Sequence, residues 1–316
     1  MIIKGRKKPL VLQKYDAMIP RLRPTFPRLE EAKHEQSKCY KGYIGEQKVD
    51  YYTNFLADDF TILYDVCINI AGSNAQMDTI IITPYAIFLI DSKNYKSKVT
   101  FDTILEQFIR DDGKVESGYL YPLNQVELQK FKLQQWLRAH QLSNIPIYYF
   151  IAISEPSTII NVIGDREAAA KVVSHAAGLP RKLLDKNEEV ASSGAAKIQH
   201  RKIGDMLLRG CREYDRDIMA VHGVKVQDLL PGVQCPKCGW LGMARVHSGW
   251  RCTKCNHKSR NAHRRAIADY LLLIKPWMNN SECRKFLNFK SKNVATKLME
   301  EAGLTNDEKR RRWFKY

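Results

Sequence analysis

Apolar positions fall into two kinds of pattern along this chain. From residue 43 to 56, Ile44, Val49, Tyr52, Phe55 and Leu56 recur on one helical face, which predicts an amphipathic helix. Residues 61–68, 76–83 and 86–92 are short, nearly continuous and rich in β-branched side chains. They predict three strands, with Pro84-Tyr85 as the turn between the last two. Residues 99–101 predict a short fourth strand. A helix is expected from Pro122 to about His140, with Val126, Leu128, Phe131, Leu133 and Leu137 at its apolar positions, and residues 147–153 read as a further strand. Helix, three or four strands, helix and strand make one α/β layer pair of ~110 residues. Upstream, Pro9, Pro20, Pro24 and Pro27 stand among basic residues with little periodicity. That predicts an extended arm, then a short helix around residues 29–37. Residues 161–230 read as mostly helical and close at Leu230-Pro-Gly232.

Composition narrows the class. The 316 residues are 44% hydrophobic and 10% aromatic, enough for buried cores, so wholesale disorder is excluded. The longest apolar stretches, 79–82 and 86–90, fall far short of the ~18 residues a membrane span needs. The basic N-terminus has no apolar segment of the secretory kind behind it. A cytoplasmic protein is expected.

Charge adds a partner. The net charge is +17, and it is uneven. Residues 1–30 hold eight basic against two acidic side chains, and residues 231–316 hold 19 against six. The 200 residues between are close to neutral, at 24 against 26. A near-neutral body with two basic ends is the footprint of a polyanion binder. Charge alone favours nucleic acid but leaves solvated faces and membrane headgroups as alternatives, and DNA with no membrane partner is the expectation for the whole chain. The sequence leaves the oligomeric state open, a homodimer included.

Two acidic residues interrupt apolar strands. Asp78 lies in Gln76-Met-Asp78 and Asp91 ends the run before Ser92-Lys93. Asp78 is six residues before Pro84 and Asp91 six after Tyr85, so a hairpin brings both carboxylates to one end. Lys93, two residues on, shares the face of Asp91. Two carboxylates and an ammonium at a strand end make an oxygen site for Mg²⁺ or Mn²⁺ and a group that can orient or deprotonate a nucleophile. The Asp-x-Lys pattern carries little by itself, since Asp/Glu-x-Lys occurs five times in this chain.

A second chemistry lies downstream. Cys235, Cys238, Cys252 and Cys255 form C-x2-C-x13-C-x2-C, the spacing of a closed structural Zn²⁺ site, with Trp240 and Trp250 expected to cover it. Arg245, Arg251, Lys254, Lys258 and Arg260 around it are candidates for phosphate contact. Residues 262–274, 280–287 and 292–302 predict three helices, the last two as a helix-turn-helix. Gly303-Leu304 then leads into a basic wing with Arg310, Arg311 and Arg312 beside Trp313. Lys292, Asn293, Thr296 and Lys297 would face a groove.

Gly42-Tyr-Ile-Gly-Glu46, Gln76-Met-Asp78, Asp91-Ser-Lys93-Asn94 and Asn124-Gln125 arrive in an order that resembles the NERD domain, the nuclease-related domain of the PD-(D/E)xK superfamily. The resemblance covers about residues 40–155. Met1-Ile-Ile-Lys and Leu12-Gln-Lys look like the arm that precedes this domain in Bacillus-type relatives, and the zinc ribbon looks like those of topoisomerases. The resemblance implies a restriction-endonuclease-like α/β core, a mixed sheet flanked by helices. In it Asp78 and Asp91 would bind the catalytic metal and Lys93 would be the catalytic lysine. Glu46 would be an acidic residue at the metal edge and Gln125 a polar residue facing the site. Many relatives carry Glu where this chain has Asp91.

The expected organisation is therefore a basic arm (1–40), a nuclease-like domain (41–160), a helical connector (161–230), a four-cysteine zinc ribbon (231–261) and a basic helix-turn-helix-like domain (262–316). The expected function is a Mg²⁺- or Mn²⁺-dependent deoxyribonuclease. The alternative is a DNA-binding or regulatory protein whose nuclease-related core no longer turns over.

Overall fold

The continuous apolar runs become the middle of a sheet. In the computed structural model, which describes residues 1–316 apart from Ala71, Ser143 and Tyr316, β1 (Ile2–Lys4) precedes helices α1 (Leu10–Met18) and α2 (Leu29–Thr53). Three strands follow: β2 (Thr61–Ile70), β3 (Ser73–Ile82) and β4 (Ile87–Lys93). Then come β5 (Lys98–Asp102), β6 (Gln107–Asp111), β7 (Glu116–Tyr119), α3 (Pro122–Ala139), β8 (Ile147–Ile153) and β9 (Ile159–Ile163). Next are α4 (Arg166–Val172), β10 (Val173–His175), α5 (Leu179–Ser192) and α6 (His200–Gly210). The chain divides into two units, residues 1–9 with 40–214 and residues 10–39 with 215–316.

The first unit is built on a six-stranded mixed sheet, ordered β1-β2-β3-β4-β8-β10. β4 lies antiparallel to β3 and parallel to β8. Its Ile87 and Leu89 enter one core with Val126, Leu133 and Trp136 of α3. Phe88 and Ile90 enter the opposite core with Val49 of α2 and Leu179 and Leu183 of α5. A strand buried on both faces needs apolar side chains at every position, which is why this run shows no alternation. A second sheet, ordered β7-β6-β5-β9, sends Val99, Phe101 and Phe108 into the α3-side core.

Four local expectations change. The arm is not extended throughout, because α1 interrupts it. The helices expected at 29–37 and 43–56 are one helix, α2, running through a polar middle that carries no apolar stripe. The single short strand at 99–101 belongs to a four-stranded sheet whose β6 and β7 are too polar to stand out. Residues 161–230 hold β10 and most of β9 as well as helices.

The second unit contains α1, the start of α2, the short helix α7 (Ile218–Val221), and a three-stranded antiparallel sheet. That sheet comprises β11 (Met243–Val246), β12 (Gly249–Cys252) and β13 (Lys258–Ser259). Helix α8 (Ala262–Leu273), β14 (Trp277–Met278), α9 (Asn280–Leu287), α10 (Lys292–Glu301), β15 (Thr305–Asp307) and β16 (Arg312–Phe314) complete it. β14, β16 and β15 pair in that order. Asn279 caps α9 through a reciprocal bond with Glu282, and Asn288 ends it in a left-handed turn at φ 61°. Cys235, Met243, Trp250 and Cys252 share one core with Ala266, Ile267, Phe286, Leu298 and Trp313, so the cysteine-bearing sheet and the C-terminal helices fold on common contacts. Among the described residues no helix is long and apolar enough to cross a membrane.

Candidate active site and metal centre

The site forms where β3 and β4 part. Their ladder runs from Ile82↔Ile87 to Thr79↔Ile90, and one step further would oppose Asp78 to Asp91. There the pairing ends, and the Ser92 N–H is taken instead by Asp78 Oδ2 at 2.9 Å. β4 continues beside β8 as far as Lys93↔Ile153. Asp91 therefore stays paired with β8, while the Asp78 carboxylate reaches from β3 to the Ser92 N–H. The pleat breaks at the same level. Ile80 and Met77 fall in the same core although three positions apart, as do Leu63 and Val66 on β2 around Asp65, whose φ is 51°.

Asp91 is 1% exposed, and Lys93 Nζ lies 2.7 Å from its Oδ2. That oxygen nevertheless lacks a hydrogen bond of sound geometry. Lys93 Nζ also donates to Gln125 Oε1 at 3.0 Å, on the first turn of α3. Burial pushes the Asp91 carboxyl up to about 7, against the Lys93 ammonium and with the nearby Asp78 charge. Burial alone would lower Lys93, but the Asp91 charge overcomes it and holds the ammonium above its ordinary range.

Glu46 reaches the site from α2. Burial pushes it up to about 8, the Asp78 charge adds to that, and Arg6 opposes it. Arg6 is the residue sequence reasoning missed. Its guanidinium reaches Glu46 at 2.6 Å and Asp50 at 2.6 and 3.0 Å, and it donates to Asp78 O at 2.8 Å and Thr79 Oγ1 at 3.2 Å. One cation thus ties α2 to the strand bearing Asp78. Asp50, four residues after Glu46, shares its helix face.

A raised carboxyl favours its protonated, folded form. The stability it contributes is present below about 4.5, the ordinary glutamate value, and is lost as pH rises through about 8. Metal-free protein is therefore expected to lose about 5 °C in Tm between pH 5 and 8.5, and Glu46→Gln to flatten that slope. Calorimetric scans that follow the transition of the first unit, in buffer free of Mg²⁺ and Mn²⁺ across this range, check it; parallel slopes in the two proteins would refute it.

Gly45 explains how α2 comes so close. A Cβ there would drive into Asn94 Cβ and approach Ser154 Oγ to 3.0 Å, whereas one on Gly42 meets nothing within 4 Å. Gly45→Ala is expected to destabilise by about 1–3 kcal/mol and to displace Glu46, because overpacking outweighs the helix propensity gained. Gly42→Ala is expected to be neutral or slightly stabilising. Equal denaturant midpoints for the two variants would contradict the packing argument.

The second unit holds the other metal candidate. Sulfur atoms of Cys235, Cys238, Cys252 and Cys255 lie within 4.8 Å of one another, with Cys235–Cys255 at 3.7 Å and Cys238–Cys252 at 3.6 Å. Tetrahedral bonds of ~2.3 Å space sulfurs at about 3.8 Å, so the set fits Zn²⁺ with no open position. Gly239 and Asn256, each just after the second cysteine of a pair, take left-handed φ of 71° and 57° and turn the chain around the sulfurs. The N–H groups of Lys254 and Cys255 point at Cys252 Sγ. Trp250 is buried in the core that Cys235 and Cys252 share, but Trp240 is 47% exposed, its indole held by Thr253 beside Lys254.

The basic candidates of this unit divide. Arg251, Lys254, Lys292, Lys297, Arg310 and Arg311 are exposed. Arg245 is turned inward, donating to Gly249 O at 2.8 Å over the Trp250 ring. Arg312 pairs with Asp307 at 3.3 Å across the β15–β16 hairpin.

Residues 41–154 match the family model of the nuclease-related domain, NERD. That segment carries Glu46, Asp78, Asp91, Lys93 and Gln125, every residue converging on the parted strands except Arg6. No curated protein and no solved structure matches the chain.

Proposed function

We propose that the protein is a metal-dependent deoxyribonuclease with a PD-(D/E)xK-type site. The observation that carries this reading is the convergence of Asp78, Asp91 and Lys93 at the parting of β3 and β4, inside a segment that matches a nuclease-related domain. The buried Asp91 carboxylate, ion-paired with Lys93, and the Asp78 carboxylate would hold Mg²⁺ or Mn²⁺. When bound, the ion supplies charge for the phosphoryl oxygens and an acidified water. Lys93, steadied by Gln125, aims its ammonium at the attacking water or the phosphate. Glu46 and Arg6 hold the charge balance on the α2 side.

The second unit holds DNA. Its order of α8, β14, α9, α10 and the β15–β16 hairpin is that of a winged helix-turn-helix, with Lys292 and Lys297 on the third helix and Arg310 and Arg311 at the hairpin. Zn²⁺ on the four cysteines is structural.

Incubating the protein with linear and supercoiled DNA in Mg²⁺, Mn²⁺ or a chelator tests the proposal. Degradation that needs the divalent ion supports it. Salt-dependent binding with no cleavage under either ion would replace it with the DNA-binding, non-hydrolytic reading.

A further inference from the structure

The second sheet of the first unit carries an aromatic step beside Lys93 that the reaction chemistry does not use. Tyr95 follows Lys93 by two residues, about 7 Å of extended chain. Its ring packs on Phe108 of β6 at 5.4 Å and on Tyr119 of β7 at 5.5 Å. Tyr119 ends β7, three residues before the helix whose Gln125 meets Lys93, so both elements that deliver the lysine contact flank this pair of rings. Tyr119 is 42% exposed.

Arg110 completes the surface. Its guanidinium lies 5.9 Å from the Tyr95 centroid, and its buried Nε has no hydrogen-bond partner. Register sets Phe108 against Tyr119 and Arg110 against Ser117 and Val99, so these side chains share one face. By alternation Asp102, Asp111 and Glu116 point to the other face. Asp112, at the β6–β7 turn, feels the Arg110 charge but is held by the N–H groups of Lys114 and Val115. That face is core-facing at Val99, Phe101 and Phe108 and reaches solvent at its β7 margin. There exposed Tyr119 stands against half-buried Tyr95, with the Arg110 guanidinium on the other side of Tyr95. Glu106, at the β5–β6 turn, is held by Asn124 Nδ2 at 2.8 Å.

We propose that Tyr119, backed by Tyr95, stacks an unpaired nucleobase of the DNA strand next to the scissile phosphate, while Arg110 takes an adjoining phosphate. Tyr119 is held against Tyr95 at the end of β7, a fixed platform that suits a base already unpaired better than a wedge driven between paired ones. The substrate class is DNA with a single-stranded tail or a frayed end. The placement beside the cut rests on the nuclease reading; the stacking itself does not.

The test uses the full-length chain in Ca²⁺, with a blunt duplex and the same duplex carrying single-stranded tails with 2-aminopurine at successive positions. Stacking on an aromatic ring contributes about 1–3 kcal/mol per base, or roughly 5- to 150-fold in affinity. Wild type is expected to bind the tailed duplex more tightly and to quench 2-aminopurine at one tail position. Tyr119→Ala should lose that quenching and weaken tailed binding about tenfold without changing blunt binding, and Tyr119→Phe should keep both. Arg110→Gln should lower the salt dependence of tailed binding by about one phosphate. No tail preference in wild type, no DNA binding, or equal effects of Tyr119→Ala on both duplexes would overturn the proposal. Cleavage in Mg²⁺ or Mn²⁺ is scored in parallel. Tyrosine-dependent tail binding without cleavage sinks the nuclease reading alone, whereas cleavage without tail preference sinks the stacking alone.

Discussion

Replacing Asp91 by asparagine is expected to reduce DNA cleavage by at least about a thousandfold and to leave the fold intact or firmer. The two halves of that result have one cause. Asp91 is 1% exposed at the end of the central strand, where burial pushes its carboxyl up to about 7. Above that pH the metal-free protein holds an ionised carboxylate in a place that resists charge, offset only in part by Lys93. Asparagine keeps the shape and removes the charge. It removes with it the oxygen that would face the divalent ion. Tm at pH 8 is expected to stay within about 2 °C of wild type or to rise, with DNA affinity unchanged. Cleavage surviving in Asp91→Asn would refute the assignment. Cleavage lost together with the fold would show that Asp91 holds the strand in place, and the assignment would then fall to Lys93→Ala, which must also abolish cleavage if the site is right.

Removing the Zn²⁺ proposed for the four cysteines of the second unit is the other large expected effect. Peptides that fold around one structural Zn²⁺ derive roughly 10–16 kcal/mol from it at neutral pH. Here the consequence should spread beyond the ribbon, because Cys235 and Cys252 are buried in the same core as Ala266, Ile267, Phe286 and Leu298. A strong chelator under reducing conditions, or Cys252→Ser, is expected to abolish the calorimetric transition of the second unit and to leave that of the first. DNA binding should fall with it. Loss of bound metal without any change in that transition would show that the four cysteines are not a structural site.

The parts of this molecule that were legible from sequence are those whose partners lie nearby in the chain. The β3–β4 hairpin could be folded on paper from Pro84-Tyr85, and with it the shared end of Asp78 and Asp91. The four cysteines carry their own spacing. What escaped depends on distant pairing. Arg6 looks like one more basic residue of an arm, and only the fold shows it among Glu46, Asp50 and Asp78, 40 or more residues away. The strands β6 and β7 alternate too weakly to announce themselves, so the aromatic pair of Tyr95 and Tyr119 was hidden with them. Neither the length of α2 nor the role of Gly45 can be read without Asn94 packed against the helix.

The chain enters and leaves its two units more than once, crossing at 9–10, 39–40 and 214–215. During synthesis, residues 10–39 emerge almost first, yet Val11, Tyr15, Met18 and Leu22 bury themselves against Ile218, Met219, Val224 and Leu229, which emerge some two hundred residues later. The first unit can close in the meantime, while that early segment waits with its apolar face uncovered. Assembly of the second unit is thus a late, long-range event, and any fragment ending near residue 214 leaves a sticky, unmatched helix at its front.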